Sequence, residues 1–256
     1  MIIRVLLAFI VSFSFFSSQT LCAEEALDLD GAAKILAAAQ EFQAKPTPKA
    51  LTTKGAALDK GGYDPNGFLA LFPRLGIASG QALDFVYDFQ DLGGHPVVYA
   101  RAKDQAAFSD LASFKKEYPR RYFLGDRVRY DPAYLGSITT DGTTDGFLQL
   151  ALLVLTSEQF YAHWHAVYYL HLPILDQATF EDVLKAYKPE EREKGRAIEF
   201  RPRVTLDRER ARVEYLVFNE WIGIQRITWT VSRAVPHRFI AVDEQVLLPY
   251  KNPIRF

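Results

Sequence analysis

An apolar run in the middle of the chain constrains its fold more than any other feature. Within the stretch from Asp145 to Leu175, every residue from Phe147 to Leu155 is apolar except Gln149. A segment without a polar face must be enclosed on all sides, so this run predicts the centre of the hydrophobic core. It is too short to cross a bilayer, which takes about 20 apolar residues.

The apolar run is compatible with a buried helix or a buried strand, because periodicity cannot separate the two over so short a length. Asp145 stands where an N-cap would stand, and Leu, Ala and Gln are good helix formers, so helix is favoured. Thr156 and Gln159 match the spacing of a capping box, which predicts that a second helix restarts at Ser157. Pro173 would end that second helix.

The N-terminus has the three parts of a secretory signal peptide. Arg4 is the charged residue, Val5–Phe16 is the apolar core, and Leu21-Cys22-Ala23 is a cleavage site before Glu24. Residues 1–23 are therefore predicted to be removed, which indicates a periplasmic or secreted protein of the bacterial cell envelope. The chain has one cysteine, inside this segment. Lipidation there is disfavoured because small residues do not precede it, and the mature chain is left without thiol or disulfide chemistry.

The charge balance limits the class of partner. The chain carries 30 basic and 31 acidic residues and a formal net charge of −1 at pH 7. A nucleic-acid-binding protein would carry a clear basic excess, so no nucleic-acid partner is predicted. Aromatic residues make up 14% of the chain, and we expect them mainly to build the core.

Two groups of strands are predicted from residues that alternate in polarity. Leu83–Gln90 and Val97–Arg101 form a hairpin around the turn-forming segment Asp91–Pro96. Asp84 and Asp88 share the polar face of the first strand about 13 Å apart, which is too far for a catalytic carboxylate pair. We expect both to face solvent.

The C-terminal third predicts an antiparallel meander of four strands joined by short turns. These strands are Ile198–Leu206, Val213–Val217, Ile224–Val231 and Phe239–Leu248. Pro202 places the first of them at an edge, because proline cannot donate to the hydrogen-bond ladder.

Helical patterns occur at Glu25–Ala44, Ala106–Phe114 and Ala178–Tyr187, and Pro189–Gly195 is interpreted as a charged connector. Residues 24–62 then form an N-terminal helix and linker, and residues 63–256 a single α+β domain. Its expected core is the hairpin and the meander packed against the central apolar helical segment. The order helix, hairpin, helix, meander resembles that of cone-like α+β folds of the nuclear-transport-factor-2 type, and this resemblance is one of architecture alone.

His163, His165 and His171 form the densest group of potential metal ligands. On a helix, His163 and His165 would point to opposite faces, because each residue turns by about 100°. On a strand they would share a face, and a metal pair would become possible. The spacing lacks the i, i+4 pair of metal-binding helices, so no metal and no cofactor are predicted.

A stripe of residues with hydrogen-bonding tips is the candidate ligand site. On a helix, Tyr161, His165, Tyr168 and Tyr169 would lie on one face. They could line a cleft with His165 as general base. Alternatively, they hydrogen-bond to loop backbone at the polar edge of the core, as Tyr and His of intermediate burial commonly do.

No nucleophile elbow, P-loop or dinucleotide-binding fingerprint is present in the sequence. The densest basic cluster is interleaved with glutamates, which predicts cross-strand ion pairs and leaves open a patch for phosphate or an anionic lipid headgroup. Its arginines are Arg201, Arg203, Arg208, Arg210 and Arg212. The sequence predicts an exported protein that binds a small molecule or a protein partner. The alternative is a hydrolase-like enzyme with His165 or His163 as base.

Overall fold

A computed structural model describes residues 26–53, 60, 62–90, 93–118, 130–164 and 170–251. Within these ranges the fold is α+β, with six α-helices and antiparallel sheets. The helices are α1 (Leu29–Gln43), α2 (Pro65–Leu69), α3 (Leu111–Glu117), α4 (Thr144–Thr156), α5 (Gln177–Lys185) and α6 (Pro189–Arg196). The strands are β1 (Leu75–Ile77), β2 (Gln81–Gln90), β3 (Gly93–Ala102), β4 (Ile138–Thr140), β5 (His163–Trp164), β6 (Leu172–Ile174), β7 (Arg203–Leu206), β8 (Arg210–Asn219), β9 (Gly223–Ser232) and β10 (Phe239–Pro249).

The predicted central helix is confirmed. Helix α4 contains the whole apolar run, and every residue from Gly146 to Thr156 is buried. The N-cap is Thr143, whose side chain accepts from the Gly146 N–H at 3.0 Å, so Asp145 lies in the first turn instead. Gln149 is the polar exception, and its Oε1 accepts from the Arg74 N–H at 3.0 Å.

The predicted second helix is wrong. The chain leaves α4 in a turn and then forms β5, and Pro173 lies inside β6. The Thr156 hydroxyl donates to the Leu152 carbonyl at 2.6 Å, and Gln159 Nε2 donates to the Leu155 carbonyl at 2.8 Å. The Leu155 carbonyl is one of the last four of α4, which have no partner within the helix, and Gln159 supplies it with a donor. Thr156 bonds back to the preceding turn, so neither side chain starts another helix.

The first sheet has the order β2-β3-β5 and is enclosed on both faces. One face packs Leu83 and Phe85 into the main core. On the other face, Val86 forms a second cluster with Phe114 of α3. Strand β3 starts at Gly93, so part of the predicted turn belongs to the strand, and the helix predicted at 106–114 begins later, at Leu111.

The predicted meander is confirmed, with β7, β8, β9 and β10 paired in sequence. Strand β6 joins the same sheet and pairs with β8 at Leu216–Phe218, while β7 pairs with β8 at Ala211–Glu214. The two short strands thus share one edge of β8. Pro202 immediately precedes β7, whose pairing among the described strands is with β8 alone.

The two faces of this C-terminal sheet are covered unequally. Its inner face places Val213, Val217 and Trp229 in the main core, which also contains α4. At one end of the outer face, α5 and α6 cover residues such as Leu216 and Ile224. The rest of that face is polar and carries the side chains that we call the open face: Arg203, Thr205, Arg210, Arg212, Glu214, Arg226, Thr228, Thr230 and Asp243.

Helix α1 packs on this same core. Its buried residues Ala32, Ile35, Leu36 and Ala39 belong to the main cluster. The Asp28 N–H donates to Asp145 Oδ1 at 2.9 Å at one end of α4, and Gln43 Nε2 donates to the Thr156 carbonyl at the other. The two helices are therefore tied together at both ends.

Candidate functional site

The predicted stripe depended on a helix that is absent from the described part of this region. Tyr161 precedes β5, so a helical spacing between Tyr161 and His165 does not apply. His165, Tyr168 and Tyr169 lie outside the described residues.

Tyr161 is a core residue. Its side chain is 3% exposed, and its ring lies 5.2 Å from that of Phe160 and 5.9 Å from that of Tyr63. Its backbone has φ of 53°, the left-handed region that residues other than glycine seldom adopt. That conformation reverses the chain between α4 and β5 and presents the Tyr161 carbonyl to β2.

Tyr87 of β2 and His163 of β5 form the polar contact at the centre of this region. Tyr87 Oη lies 2.7 Å from the Tyr161 carbonyl oxygen and 2.8 Å from His163 Nδ1. The carbonyl can only accept, so the Tyr87 hydroxyl donates to it and His163 Nδ1–H donates to Tyr87 Oη. We call this arrangement the Tyr87–His163 clasp.

Gly94 of β3 makes the clasp possible. A Cβ at this position would lie 2.6 Å from Tyr87 Cε1 and 2.7 Å from His163 Cε1. Gly94 pairs with His163 in the β3–β5 register, so the imidazole crosses directly over its backbone. Only a residue without a side chain leaves room for both rings.

The Tyr87–His163 clasp has a structural role. Burial, with a smaller contribution from Asp88, raises the pKa of Tyr87, so its hydroxyl stays protonated and remains a donor. His163 Nε2 is enclosed by protein, and Nδ1 is committed to Tyr87. A general base needs a free lone pair within reach of a substrate, and neither nitrogen of His163 offers one to solvent.

Asp84 and Asp88 are buried, at 8% and 6% exposure, which corrects the expectation that they face solvent. Val86, between them on the same face of β2, packs against Phe114 of α3, so this face of the hairpin is covered and does not face solvent. Asp84 pairs with Lys60 and, at 2.9 Å, with Arg101 Nε. Burial alone would raise the pKa of Asp84, but hydrogen bonds from Lys60, Arg101 and the Phe85 N–H hold it below its ordinary value.

The other described histidines are half-buried, in the case of His95, or buried, in the cases of His171 and His237. His95 lies opposite Asp88 in the register, and burial lowers its pKa, with Asp88 opposing that shift and Lys115 adding to it. His171 is 4% exposed and His237 is 2% exposed. His237 Nδ1 lies 2.9 Å from the Ser232 carbonyl oxygen, and burial lowers its pKa. Across the described ranges, no three His, Cys, Asp or Glu side chains are grouped as a metal site requires.

The open face carries a small network of ion pairs around Glu214. Glu214 on β8 contacts Arg226 of β9 at 3.6 Å and Arg212 of its own strand at 3.7 Å, and Arg203 of β7 is its register partner. Arg226 was not part of the predicted cluster, and the contact of Arg212 lies within one strand, so cross-strand pairing by the arginines of that cluster stays a prediction. Such exposed pairs contribute little to stability.

One candidate surface was not predicted from the sequence. Strand β10 lies at the end of the C-terminal sheet and pairs with β9. Among the described residues, the exposed large apolar side chains lie on it or in the loop before it: Val235 (52%), Ile240 (42%) and Val246 (46%). The alternating pattern identified the strand, but its position at the edge depends on the strand order, which local sequence does not encode.

Comparison with known proteins identifies no family for this chain. No protein-family model, no curated protein and no solved structure matches the chain. Of the helices that the described ranges contain, none has the length and hydropathy to cross a membrane.

Proposed function

We propose that this chain is an exported, non-catalytic module of the bacterial cell envelope that binds a protein partner through the β10 edge. The observation that supports binding is that β10, whose outer edge pairs with no other strand among the described residues, carries the exposed apolar side chains Ile240 and Val246. Exposed apolar residues at a sheet edge favour pairing with another chain. The clasp supports a non-catalytic role, because it commits His163 to structure.

Export is supported by Arg4, the apolar core Val5–Phe16 and the Leu21-Cys22-Ala23 site. N-terminal sequencing of the protein recovered from the periplasm or medium should begin at Glu24. Recovery of the full-length chain from the cytosol alone would contradict this part of the proposal.

Binding at β10 is tested by photo-crosslinking in intact cells. A photoreactive amino acid replaces Val246 in one strain and Glu190, an exposed residue of α6, in a matched control. We expect a discrete higher-mass adduct from position 246 and none from position 190. Equal labelling at both positions, or no adduct at position 246, would show that β10 is not the binding surface.

A further inference from the structure

We infer that one tip of the C-terminal sheet docks on the surface of a bilayer that contains anionic phospholipid. The inference goes beyond the proposed function, because it concerns another surface and another kind of partner. Two connections form this sheet tip: the turn at residues 207–209 between β7 and β8, and the loop at residues 233–238 between β9 and β10. Docking on a membrane surface needs exposed apolar side chains and basic side chains next to each other. The sheet tip carries both.

Hydrogen bonds join the two connections into one surface. The Arg233 N–H donates to the Glu209 carbonyl at 2.8 Å, and Arg233 Nη1 donates to the Asp207 carbonyl at 2.6 Å. The turn and the loop therefore contact each other and can meet one partner together.

The apolar part of the sheet tip is a group of consecutive loop residues. Ala234, Val235 and Pro236 are all exposed, and the exposed fraction of Val235 is 52%. Ile240, at the start of β10, is 42% exposed. Single exposed apolar side chains are ordinary on a protein surface, whereas a group of them marks an interaction site.

The base of the loop is fixed by contacts below this apolar group. The Ser232 N–H donates to the Arg238 carbonyl at 2.9 Å, and the Ser232 hydroxyl donates to the Ala234 carbonyl at 3.2 Å. His237 is buried, and its ring lies edge-on to that of Phe147 with 5.6 Å between the centroids. The loop therefore exposes its apolar residues while its base is held against the core.

Arginines lie on both sides of the apolar group. Arg233 and Arg238 flank it in the loop, Arg208 lies in the turn, and Arg210 begins β8. The side chains of Arg208, Arg210 and Arg238 are exposed. A planar guanidinium matches the geometry of a phosphate, so these side chains suit the phosphates of lipid headgroups.

The acidic residues of the sheet tip do not cancel this charge. They are Asp207 and Glu209, and both are exposed. Asp207 Oδ1 accepts from the Glu209 and Arg210 N–H groups at 2.7 Å each, so this carboxylate shapes the turn. Four arginines lie beside two carboxylates, and the resulting positive charge is attracted to an anionic membrane.

The apolar group favours a bilayer over a soluble phosphate as the partner. A soluble phosphate would bind guanidinium groups and leave Val235 in water. At a bilayer the arginines contact headgroup phosphates while Val235 enters the boundary between headgroups and acyl chains, so the partner contacts both parts of the sheet tip.

Vesicle flotation of the purified mature protein tests the inference. We expect binding to vesicles of phosphatidylcholine with phosphatidylglycerol and at least about tenfold weaker binding to phosphatidylcholine alone, because the anionic lipid supplies the electrostatic attraction. Val235→Ser should weaken binding at least about threefold, because less apolar area enters the bilayer. Val246→Ser is the matched control, since Val246 is 46% exposed but lies on β10 outside the sheet tip, and it should leave binding unchanged.

The same assay tests the electrostatic part. Arg238→Gln should weaken binding about fivefold, the effect expected of one basic residue at an anionic surface. Arg196→Gln removes an exposed charge from α6 and should leave binding unchanged. Thermal unfolding of each variant verifies that it is folded.

Three results would overturn the inference. These are no binding to vesicles that contain phosphatidylglycerol, equal weakening by the tip variants and their controls, or release of the protein from vesicles by inorganic phosphate at constant ionic strength. The last result would identify a soluble phosphate as the ligand. Crosslinking at position 246 tests the proposed function separately, so either proposal can fail without the other.

Discussion

The two main sheets of this protein use the same antiparallel pairing but differ in what covers them. The β2-β3-β5 sheet lies between the main core and α3, so even its polar face is buried, with Asp84 at 8% exposure. The β6–β10 sheet shares the main core on its inner face, but α5 and α6 cover only one end of its outer face. No other strand in the described part of the chain pairs with the outer edge of its last strand, β10.

This difference determines what polar residues do in each sheet. In the enclosed sheet, Asp84 and His163 must be paired, because a buried polar group without a partner is costly. Their roles are therefore structural. On the open face, Arg212 and Glu214 keep access to water, and the outer edge of β10 pairs with no other described strand. Binding is consequently expected at the C-terminal sheet.

The largest loss of stability is expected from a substitution in α4, because this helix contributes to the core beneath both sheets. Leu152 is fully buried, and Leu152→Ala should lower the free energy of unfolding by about 2–5 kcal/mol, because the change leaves a cavity. Urea unfolding measures this difference. Val246→Ala on the β10 edge is the control and should change stability by no more than about 0.5 kcal/mol. A nearly neutral Leu152→Ala would show that α4 is not central to the core.

Asp84→Asn should cost about 1.5–3 kcal/mol at pH 7, because it removes the anion that Lys60 and Arg101 share. The pKa of Asp84 is lowered in the folded protein, so its contribution is complete above the ordinary carboxyl pKa of about 3.9 and is lost as the pH falls through the folded value. The difference between wild type and variant should be constant from pH 7 to about 5 and shrink below about 4.

Unfolding experiments across this pH range test the enclosed character of the first sheet. Asp243→Asn, on exposed β10, is the matched carboxylate control and should show little effect at pH 7. If both variants lose the same free energy of unfolding, the two sheets do not differ in how strongly they enclose their carboxylates.

Gly94→Ala should destabilise the protein by about 1–3 kcal/mol, because the added methyl overlaps the Tyr87 and His163 rings. Thermal unfolding and near-ultraviolet circular dichroism report the loss of the clasp. The control is Gly136→Ala, where the new Cβ would meet Pro236 Cβ at an ordinary 3.7 Å. Equal effects of the two substitutions would mean that the rings move aside without cost.

Tyr87→Phe removes only the hydroxyl of the clasp and should cost about 1–3 kcal/mol, because the change leaves buried hydrogen-bonding groups without their partner. The Tyr161 carbonyl and His163 Nδ1 each lose a partner, and NMR of the imidazole should show a changed tautomer population. An unchanged imidazole spectrum would contradict the assigned proton arrangement.

The smallest change in stability is expected from a substitution on the open face. Arg212→Ala removes one contact to Glu214 while Arg226 retains the other, so stability should change by about 0.5 kcal/mol or less. Chemical unfolding at low and high salt is the measurement. A loss of more than 1.4 kcal/mol, a tenfold change in the folding equilibrium, would show that this network is structural.

Patterns of polarity within short segments of the sequence predicted the main secondary-structure elements. The apolar run Phe147–Leu155 predicted a buried helix, and alternation predicted the β2–β3 hairpin and the four-stranded meander. Both kinds of signal come from residues close together in the chain. The same reasoning misassigned the segment after α4, because Thr156 and Gln159 have the spacing of an N-terminal capping box but donate to carbonyls at a helix C-terminus.

The candidate sites could not be predicted from local patterns, because they form through contacts between segments that are distant in the sequence. The sequence by itself determined the central helix, the hairpin and the meander, which of their faces are apolar, and that arginines and glutamates interleave on β8. Only the tertiary structure decided that Asp84 is buried beside Lys60 and Arg101, that Gly94 lets Tyr87 reach His163, and that β10 is the last of the described strands in its sheet. Periodicity depends on the geometry of one chain segment, whereas burial and strand order depend on which distant segments pack against it.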